Sequence, residues 1–504
     1  MRKQFLLIAL LALLSCAGLV TAHVAVSDTA EQVLLEETAH VGDPAVAELV
    51  EVNMTCKETH PHYQWDTALI PGQSPQTTFS TDFSRFAGRT DSTPFVSIGF
   101  SSPFNQGRTS KSPMDLVSDS DDALLPLYQT VADRTKPGTI HTEVLDAKDF
   151  FDFYPVDFVL DTPGYHYDAS HLEFLLENHP NDTEADGYRS ELQFLRSIEE
   201  AFRFPVPEEL KLTIQISKGP DGNVYETNCI EGEPDLPPAD RPYDITADSH
   251  SAPASGDRGI RIHVWTYSCQ KGKILYFIPE FRTSDGALLD YSLTPGYGIY
   301  HLDLSREPLH INDLELVLPL SPEQNPVDLY LDDSETHFLL PIQENQEETL
   351  YLLDSASGAV SQKIPVGPVA PDGERWTYYL SDGDLLLFVD SDQSFRFFLL
   401  DASGQYQEQF SCSLPMSDEF PVSWGFHTAL AFDGEKLAAV SNSDRSYEAP
   451  SCGLSLLIWD RTGLLYAGNY RSSLDQTITK DGYQAVFPQR EDPLSIHFLS
   501  EKGA

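Results

Sequence analysis

The residues able to do chemistry are plentiful but dispersed. "SDSDD" (118–122) and "DSDQS" (390–394) set carboxylates at alternate positions, the way loops offer calcium its roughly six to eight oxygens. Neither stretch combines the central Gly and twelfth-position Glu of an EF-hand loop. They are read as solvated acidic turns, with calcium the one cofactor worth testing and no other expected. His60 and His62 flank Pro61, and His166, His171 and His179 fall around a turn and a short helix. No Gly-x-Ser-x-Gly elbow, phosphate-binding loop or dinucleotide fingerprint occurs. Acid pairs for glycoside chemistry carry no information here, because 78 Asp and Glu make such pairs inevitable.

Six cysteines stand at 16, 56, 229, 269, 412 and 452. Cys16 falls within an N-terminal targeting segment, which leaves five, so at least one is unpaired within the chain. Export would permit disulfides. Cys229–Cys269 and Cys412–Cys452 are each 40 residues apart, and pairing of sequence neighbours is the simplest expectation, with Cys56 left over. No clustered Cys/His spacing suggests structural zinc.

The address is written at the N-terminus. Arg2 and Lys3 precede an apolar run over 5–14, too short for the ~20 residues that span a bilayer. This is a signal sequence. Small residues before His23 allow cleavage there, which would yield a soluble secreted chain. "LLSC" (13–16) resembles the lipobox of bacterial lipoproteins, and that resemblance implies lipidation at Cys16 and a place at the cell surface or in the periplasm. The net charge of −46 repels phosphate backbones and anionic lipid surfaces. Nucleic acid is therefore excluded as a partner, and membrane contact is expected through a lipid anchor only.

These groups must be positioned by strands, and the strands repeat. "LYLLDSASGAV", "FFLLDASGQYQ" and "LLIWDRTGLLY" each close an apolar run on an Asp: Asp354, Asp401 and Asp460. "IYHLDLSREPL" does so more weakly at Asp303. The separations are 51, 47 and 59 residues. In each strong copy the Asp caps a turn, and Gly358, Gly404 and Gly463 are placed for positive φ. Upstream, Asp382-Gly383 and Asp433-Gly434 sit between apolar runs, a strong hairpin signal. Each unit of roughly 50 residues thus holds four short antiparallel strands, the pattern of a β-propeller blade. The units resemble WD40-like and quinoprotein-like propeller repeats in degenerate form. Gln362 stands where the quinoprotein-like pattern has Trp, and no pyrroloquinoline cofactor is implied. The expected fold is all-β, a propeller of about 7–8 blades; the alternative is an array of β-sandwiches.

The rest of the chain is placed around that repeat. Residues 23–75 are acidic and read as a linker, followed by the propeller over 76–504. "LKLTIQISKGPDGNVYETNCI" (210–230) is a hairpin turning at 219–222, and "KILYFIPEF" with "GALLDYSL" reads as another. Leu192, Leu195, Ile198 and Phe202 recur at helical spacing, so a helical insertion is expected near 182–203. Residues 233–259, rich in Pro, Asp and Ser, form a long loop.

Together these features predict an exported, lipid-anchored, non-catalytic propeller that binds a protein partner in the bacterial envelope. Two other classes stay open: a secreted hydrolase or lyase with acids at the central channel, and a calcium- or carbohydrate-binding module. Nothing in the sequence sets the oligomeric state.

Overall fold

The computed structural model describes residues 35–57, 63–81, 97–104, 106–109, 124–162, 165–178, 185–234, 240–243, 258–306, 308–369, 377–390, 394–413, 428–442, 453–472 and 494–499. The chain divides into two compact units: 1–92 with 332–334 and 369–504, and 93–331 with 335–368. Strands are numbered along the chain.

The first unit holds three sheets. β24 (Thr377–Asp382), β25 (Leu385–Asp390), β26 (Ser394–Leu400) and β27 (Tyr406–Ser413) form an antiparallel meander in chain order. β28 (Thr428–Phe432), β29 (Leu437–Asn442), β30 (Gly453–Asp460) and β31 (Gly463–Ser472) form a second, and β1 (Leu35–Gly42) adds a fifth strand beside β31. The third joins the two ends of the chain. β32 (Leu494–Phe498) pairs with β2 (Val50–Lys57), which continues into β3 (Tyr63–Leu69) and β4 (Gln76–Thr81).

Alternation explains these sheets. Leu454, Leu456 and Ile458 of β30 are buried in one apolar cluster with Val50, Val52, Tyr466 and Ile496. Leu457 and Trp459 enter another cluster with Leu387, Phe395 and Phe397. A strand buried on both faces reads as a continuous apolar run, as "LSLLIW" does. A short helix, α1 (Pro44–Ala47), bridges β1 and β2, with Asp43 as its N-cap.

The second unit holds two further meanders. β15 (Ile262–Lys271), β16 (Ile274–Thr283), β17 (Gly298–Asp303) and β18 (Leu314–Pro319) form one. β21 (His337–Glu344), β22 (Glu347–Asp354) and β23 (Val360–Pro368) form the other, entered by β19 (Asn325–Pro326) and β20 (Tyr330–Leu331). A less regular sheet centres on the predicted hairpin, β12 (Lys211–Lys218) and β13 (Val224–Glu231), flanked by β7 (Thr139–Asp146), β14 (Arg241–Pro242) and β6 (Gln106–Thr109). β5 (Ser97–Ser101), β9 (Asp157–Thr162) and β10 (Tyr165–Tyr167) make a small sheet, and β8 (Phe153–Tyr154) pairs with β11 (Phe204–Pro205).

Three longer helices pack in this unit: α2 (Leu125–Arg134), α3 (Ala169–Asn178) and α4 (Ala185–Ala201). α4 is the expected insertion. Leu195 and Ile198, with Phe202 just beyond, enter the large core formed by Phe158, Phe204, Leu212, Ile214, Phe277 and Phe281.

The fold is all-β, built from β-propeller-type blades. Among the described residues six sheets have four or five strands, and five of these run through the strands as consecutive blade meanders.

Two expectations are corrected. The described part of the expected 23–75 linker, 35–57 and 63–75, is no linker: β1, β2 and β3 lie within it, and Val50, Val52, Met54, Trp65 and Leu69 are buried. Glu36, Glu37 and Asp66 occupy exposed positions of paired strands, so composition concealed the apolar face. "GALLDYSL" is no return strand. Leu288 bridges back to Arg282, Leu289 N donates to the Phe281 carbonyl, Thr283 N donates to the Ala287 carbonyl to close a turn, and 291–293 is a 3-10 turn. β17 pairs with β16 only over Ile274–Phe277, and beside 281–283 the returning segment makes one isolated bridge instead of a ladder.

Candidate binding site

The repeat residues come first, because they are structural. Asp303, Asp354 and Asp460 end the third strand of a meander, and Asp401 directly follows one. Asp354 accepts from Ser357 N at 2.7 Å and its hydroxyl at 2.6 Å. Asp401 accepts from Ser403 N and hydroxyl at 2.8 and 2.5 Å. Asp460 accepts from Thr462 N and hydroxyl at 2.7 and 2.5 Å, and Asp303 from Ser305 N at 2.9 Å. These bonds hold all four carboxyls below the usual carboxylate range. Gly358, Gly404 and Gly463 take φ of 69°, 75° and 133°. The recurring Asp is a turn cap, not a catalytic acid.

The cysteine pairing is corrected. Cys229 lies in β13, in the large core, and Cys269 in β15, opposite Tyr276. They are thiols in different sheets and form no bridge. The Cys412 thiol donates to the Asp460 carbonyl at 3.5 Å and is likewise unbridged; Cys452 lies outside the described residues. Burial pushes the Cys269 thiol up to about 12. Equal spacing in sequence did not bring the pairs together, because each member belongs to a different strand and register.

Cys16, His60, His62, His179 and the 118–122 acids also lie outside the described residues, as does most of 391–394. Among the described residues no group of three or more His, Cys, Asp or Glu could hold a metal.

The site the sequence did not announce lies on one face of the β15–β16–β17 sheet. Residues i and i+2 of a strand share a face. His263, Trp265, Tyr267 and Cys269 of β15 therefore stand together, opposite Arg282, Glu280, Ile278 and Tyr276 of β16. Cross-strand neighbours have Cβ atoms about 5 Å apart. The result is a boundary between a wet rim and a dry interior. Trp265 is 42 % exposed, whereas its opposite residue Glu280 is fully buried. The rings of Trp265 and His263, itself exposed, stack at 5.2 Å and 22°.

Beside that rim, on the same face, runs a buried polar network. Arg282 Nε donates to Glu280 Oε1. Its Nη2 donates to Tyr297 Oη at 3.3 Å and to the Gln324 carbonyl at 3.1 Å, and its Nη1 to the Gly286 carbonyl at 3.1 Å. Tyr297 Oη lies 3.3 Å from Glu280 Oε1. Gln324 Nε2 donates to Tyr351 Oη at 3.2 Å. Burial pushes the Glu280 carboxyl up, and Arg282, Tyr297 and Tyr267 oppose the shift. Burial, with the Glu280 charge, raises the Tyr267 and Tyr297 phenols. Glu280 Oε2 has no hydrogen bond of ordinary length, so the carboxylate is only half satisfied by protein groups.

Chemically, one guanidinium gathers the 286 turn, the 324 turn and Tyr297, just before β17, onto one strand. Glu280 is too deeply buried to meet a substrate. What meets solvent is the Trp265–His263 pair, on the face of the sheet that also carries the Glu280–Arg282 pair. A polar Glu280-x-Arg282 in "FIPEFRTS" was the available signal: two opposite charges at strand spacing inside an apolar run.

A second buried carboxylate, Glu231, accepts from Tyr154 Oη and from Ile262 N, each at 2.7 Å. Both of its oxygens are occupied, and it ties β13 to the start of β15.

No family model and no curated protein matches the chain. Solved structures similar to it include the β-propeller domain of the Trilobed protease from Pyrococcus furiosus, at 13% identity over 54% of this chain and 69% of that one, TM-score 0.23. A putative 6-phosphogluconolactonase from Bacteroides fragilis overlaps 91% of this chain and 100% of its own at 9% identity, TM-score 0.25. One from Bacteroides uniformis overlaps 89% and 99% at 8% identity, TM-score 0.26. The four-strand meanders, not these likenesses, identify the blades.

Proposed function

We propose that this chain is an exported, non-catalytic binding protein, anchored to the bacterial membrane through lipid on Cys16, whose partner is a protein of the cell envelope. The observation that carries the reading is Trp265. A large indole stands 42 % exposed on a regular strand, stacked on an exposed His263 and directly across the strand pair from Glu280, whose carboxylate is held by Arg282 and Tyr297. Trp, Tyr and Arg dominate the residues that carry interface energy. A rigid aromatic anchor loses little conformational freedom on binding, which leaves more of its contact energy as affinity.

The test is mild cross-linking and co-purification of the tagged full chain from its own cells, beside Cys16→Ala and Trp265→Ala variants. The expected result is a stoichiometric partner with the unaltered chain, lost with Trp265→Ala, and release from the membrane fraction with Cys16→Ala. A chain found free in the medium with no partner would overturn the reading.

A further inference from the structure

The sheet built on β12 has one apolar face and one polar face. Leu212, Ile214 and Ile216 enter the large core. Their alternates Thr213, Gln215 and Ser217 line the opposite face, yet all three are buried. Across the register, Gln215 faces Asn228 of β13 and Thr142 of β7, and Ser217 faces Glu226 and Ile140. Such neighbours stand about 5 Å apart. The Ser217 hydroxyl donates to Glu226 Oε2 at 3.0 Å, and the Thr213 hydroxyl to the Gly232 carbonyl at 2.6 Å. Gln215 differs: it is 1 % exposed, and its Oε1 has no hydrogen-bond partner. A buried acceptor left unpaired costs stability, and a bound donor recovers it.

The strip ends in charge on one side and in aromatic rings on the other. Lys211 pairs with Asp146 at the first end. At the second, Arg241 of β14 lies opposite Ile140 and is itself engaged. Tyr243, two residues on, stacks on Tyr225 at 5.7 Å and 26°, and Tyr225 Oη donates to Asp221 Oδ2 at 2.8 Å. Burial, then the Glu226 charge, raises the Tyr243 phenol, so ring and carboxylate are neighbours. Ile140, Thr142 and Val144 are half-buried, which makes the β7 side the way in.

We propose that this strip binds a short neutral oligosaccharide, with Gln215 Oε1 accepting from a sugar hydroxyl and the Tyr243 ring packing on a sugar face. The chemistry of the strip selects the ligand. Its unpaired group is an acceptor, so the ligand must donate. The groups around that acceptor, Thr142, Thr213 and Asn228, are uncharged. The carboxylate beside them, Glu226, repels anions, and being bonded to Ser217 it offers a cation only one acid. A few placed polar groups with an aromatic wall are the usual make-up of a small-molecule site, and tyrosine presents an apolar face to sugar C–H groups. Length follows from the register. Tyr243 N donates to the Gly138 carbonyl, and Gly138 precedes Thr142, the neighbour of Gln215, by four residues, a span of about 13 Å. One sugar ring does not reach from Gln215 to Tyr243; two or three linked rings do. This sheet is separate from that of Trp265, and its ligand is independent of the protein partner.

The experiment is saturation-transfer NMR of the full chain with maltotriose, cellotriose and tri-N-acetylchitotriose, repeated with Gln215→Met, Tyr243→Ala and Trp265→Ala. The expected result is saturable binding of at least one trisaccharide. Affinity should fall about tenfold in Gln215→Met, the worth of one hydrogen bond, and should fall in Tyr243→Ala while Trp265→Ala leaves it unchanged. Gln215→Met removes an unpaired buried acceptor, so its melting temperature should hold or rise, which separates lost binding from lost folding. Should that variant fail to fold, Tyr243→Ala, altered at the rim, decides by itself. If none of the three sugars binds, the Gln215 acceptor faces water only and the proposal is overturned. Binding that ignores both Gln215→Met and Tyr243→Ala places the sugar elsewhere and overturns it too. Trigalacturonate bound through these residues while the neutral sugars are not would overturn the neutral assignment.

Discussion

The carboxylate of Asp382 accepts the backbone N–H of Leu430 at 2.6 Å, so the first turn of one meander is fastened to the first strand of the next. About 50 residues earlier the same device appears, with Asp333 Oδ2 accepting from Gly383 N at 3.0 Å. The Asp382-Gly383 hairpin thus does more than turn the chain, since it is bonded to the chain on both sides. Asp382→Ala is expected to destabilise the protein by about 1.5–3 kcal/mol, the usual worth of a hydrogen bond to a charged group. Urea unfolding would show a lower midpoint with an unchanged slope. An unmoved midpoint would make the contact ornamental.

Arg282 and Glu280 yield a pH-dependent prediction. Burial raises the Glu280 carboxyl, and Arg282 is the chief opposing influence. A carboxyl raised on folding binds its proton more tightly in the native state, so its ionisation costs stability as pH rises through the folded value. Arg282→Met leaves the charge uncompensated and is expected to cost about 3–5 kcal/mol at neutral pH. Much of that loss should return on acidification, because the carboxyl then takes up its proton. The double variant Glu280→Gln/Arg282→Met should lack this recovery. Thermal melts across pH decide it.

The turn acids respond in the opposite sense. Asp303, Asp354, Asp401 and Asp460 are held below the usual carboxylate range by their turn bonds. Their contribution is complete above an ordinary Asp value of about 3.9 and is lost as pH falls through the lower folded values. Asp401→Asn combined with Asp460→Asn should therefore flatten the acid limb of the stability curve. An acid limb unchanged by these substitutions would place the sensitivity elsewhere.

Closure of the chain depends on its last described strand. Ile496 is buried with Val50, Val52 and Met54, and β32 pairs with β2 from Val50 to Met54. Ending the chain after Pro493 exposes an unpaired strand edge and that apolar cluster, a recipe for association. The truncated chain is expected to unfold at lower temperature and to aggregate in sedimentation. A monomeric truncation with an unchanged melt would contradict the pairing.

The corrected cysteines can be counted. Cys229, Cys269 and Cys412 are thiols, so the purified chain denatured without reductant should release at least three equivalents to a thiol reagent. Fewer would mean that bridges form after all.

What was legible in the sequence was local chemistry. An Asp followed by Ser or Thr and then Gly declares its own turn, because carboxylate, hydroxyl and backbone lie within five residues of one another. The hairpin at Gly219–Gly222 and the face of α4 needed only spacing. These elements implied four-stranded units, and the sheets have them.

Relations between distant segments were decided by tertiary structure. β1 lies on β31, with Glu37 accepting from Tyr466 Oη at 3.0 Å across 429 residues. β2 lies on β32. An acidic stretch that composition marks as a linker becomes sheet when an unpaired edge elsewhere satisfies its backbone and covers its few apolar side chains. The Trp265–Glu280 boundary has the same origin. Burial of a charge requires partners from three separate turns and strands, and only the folded chain delivers Arg282, Tyr297 and Gln324 to one point.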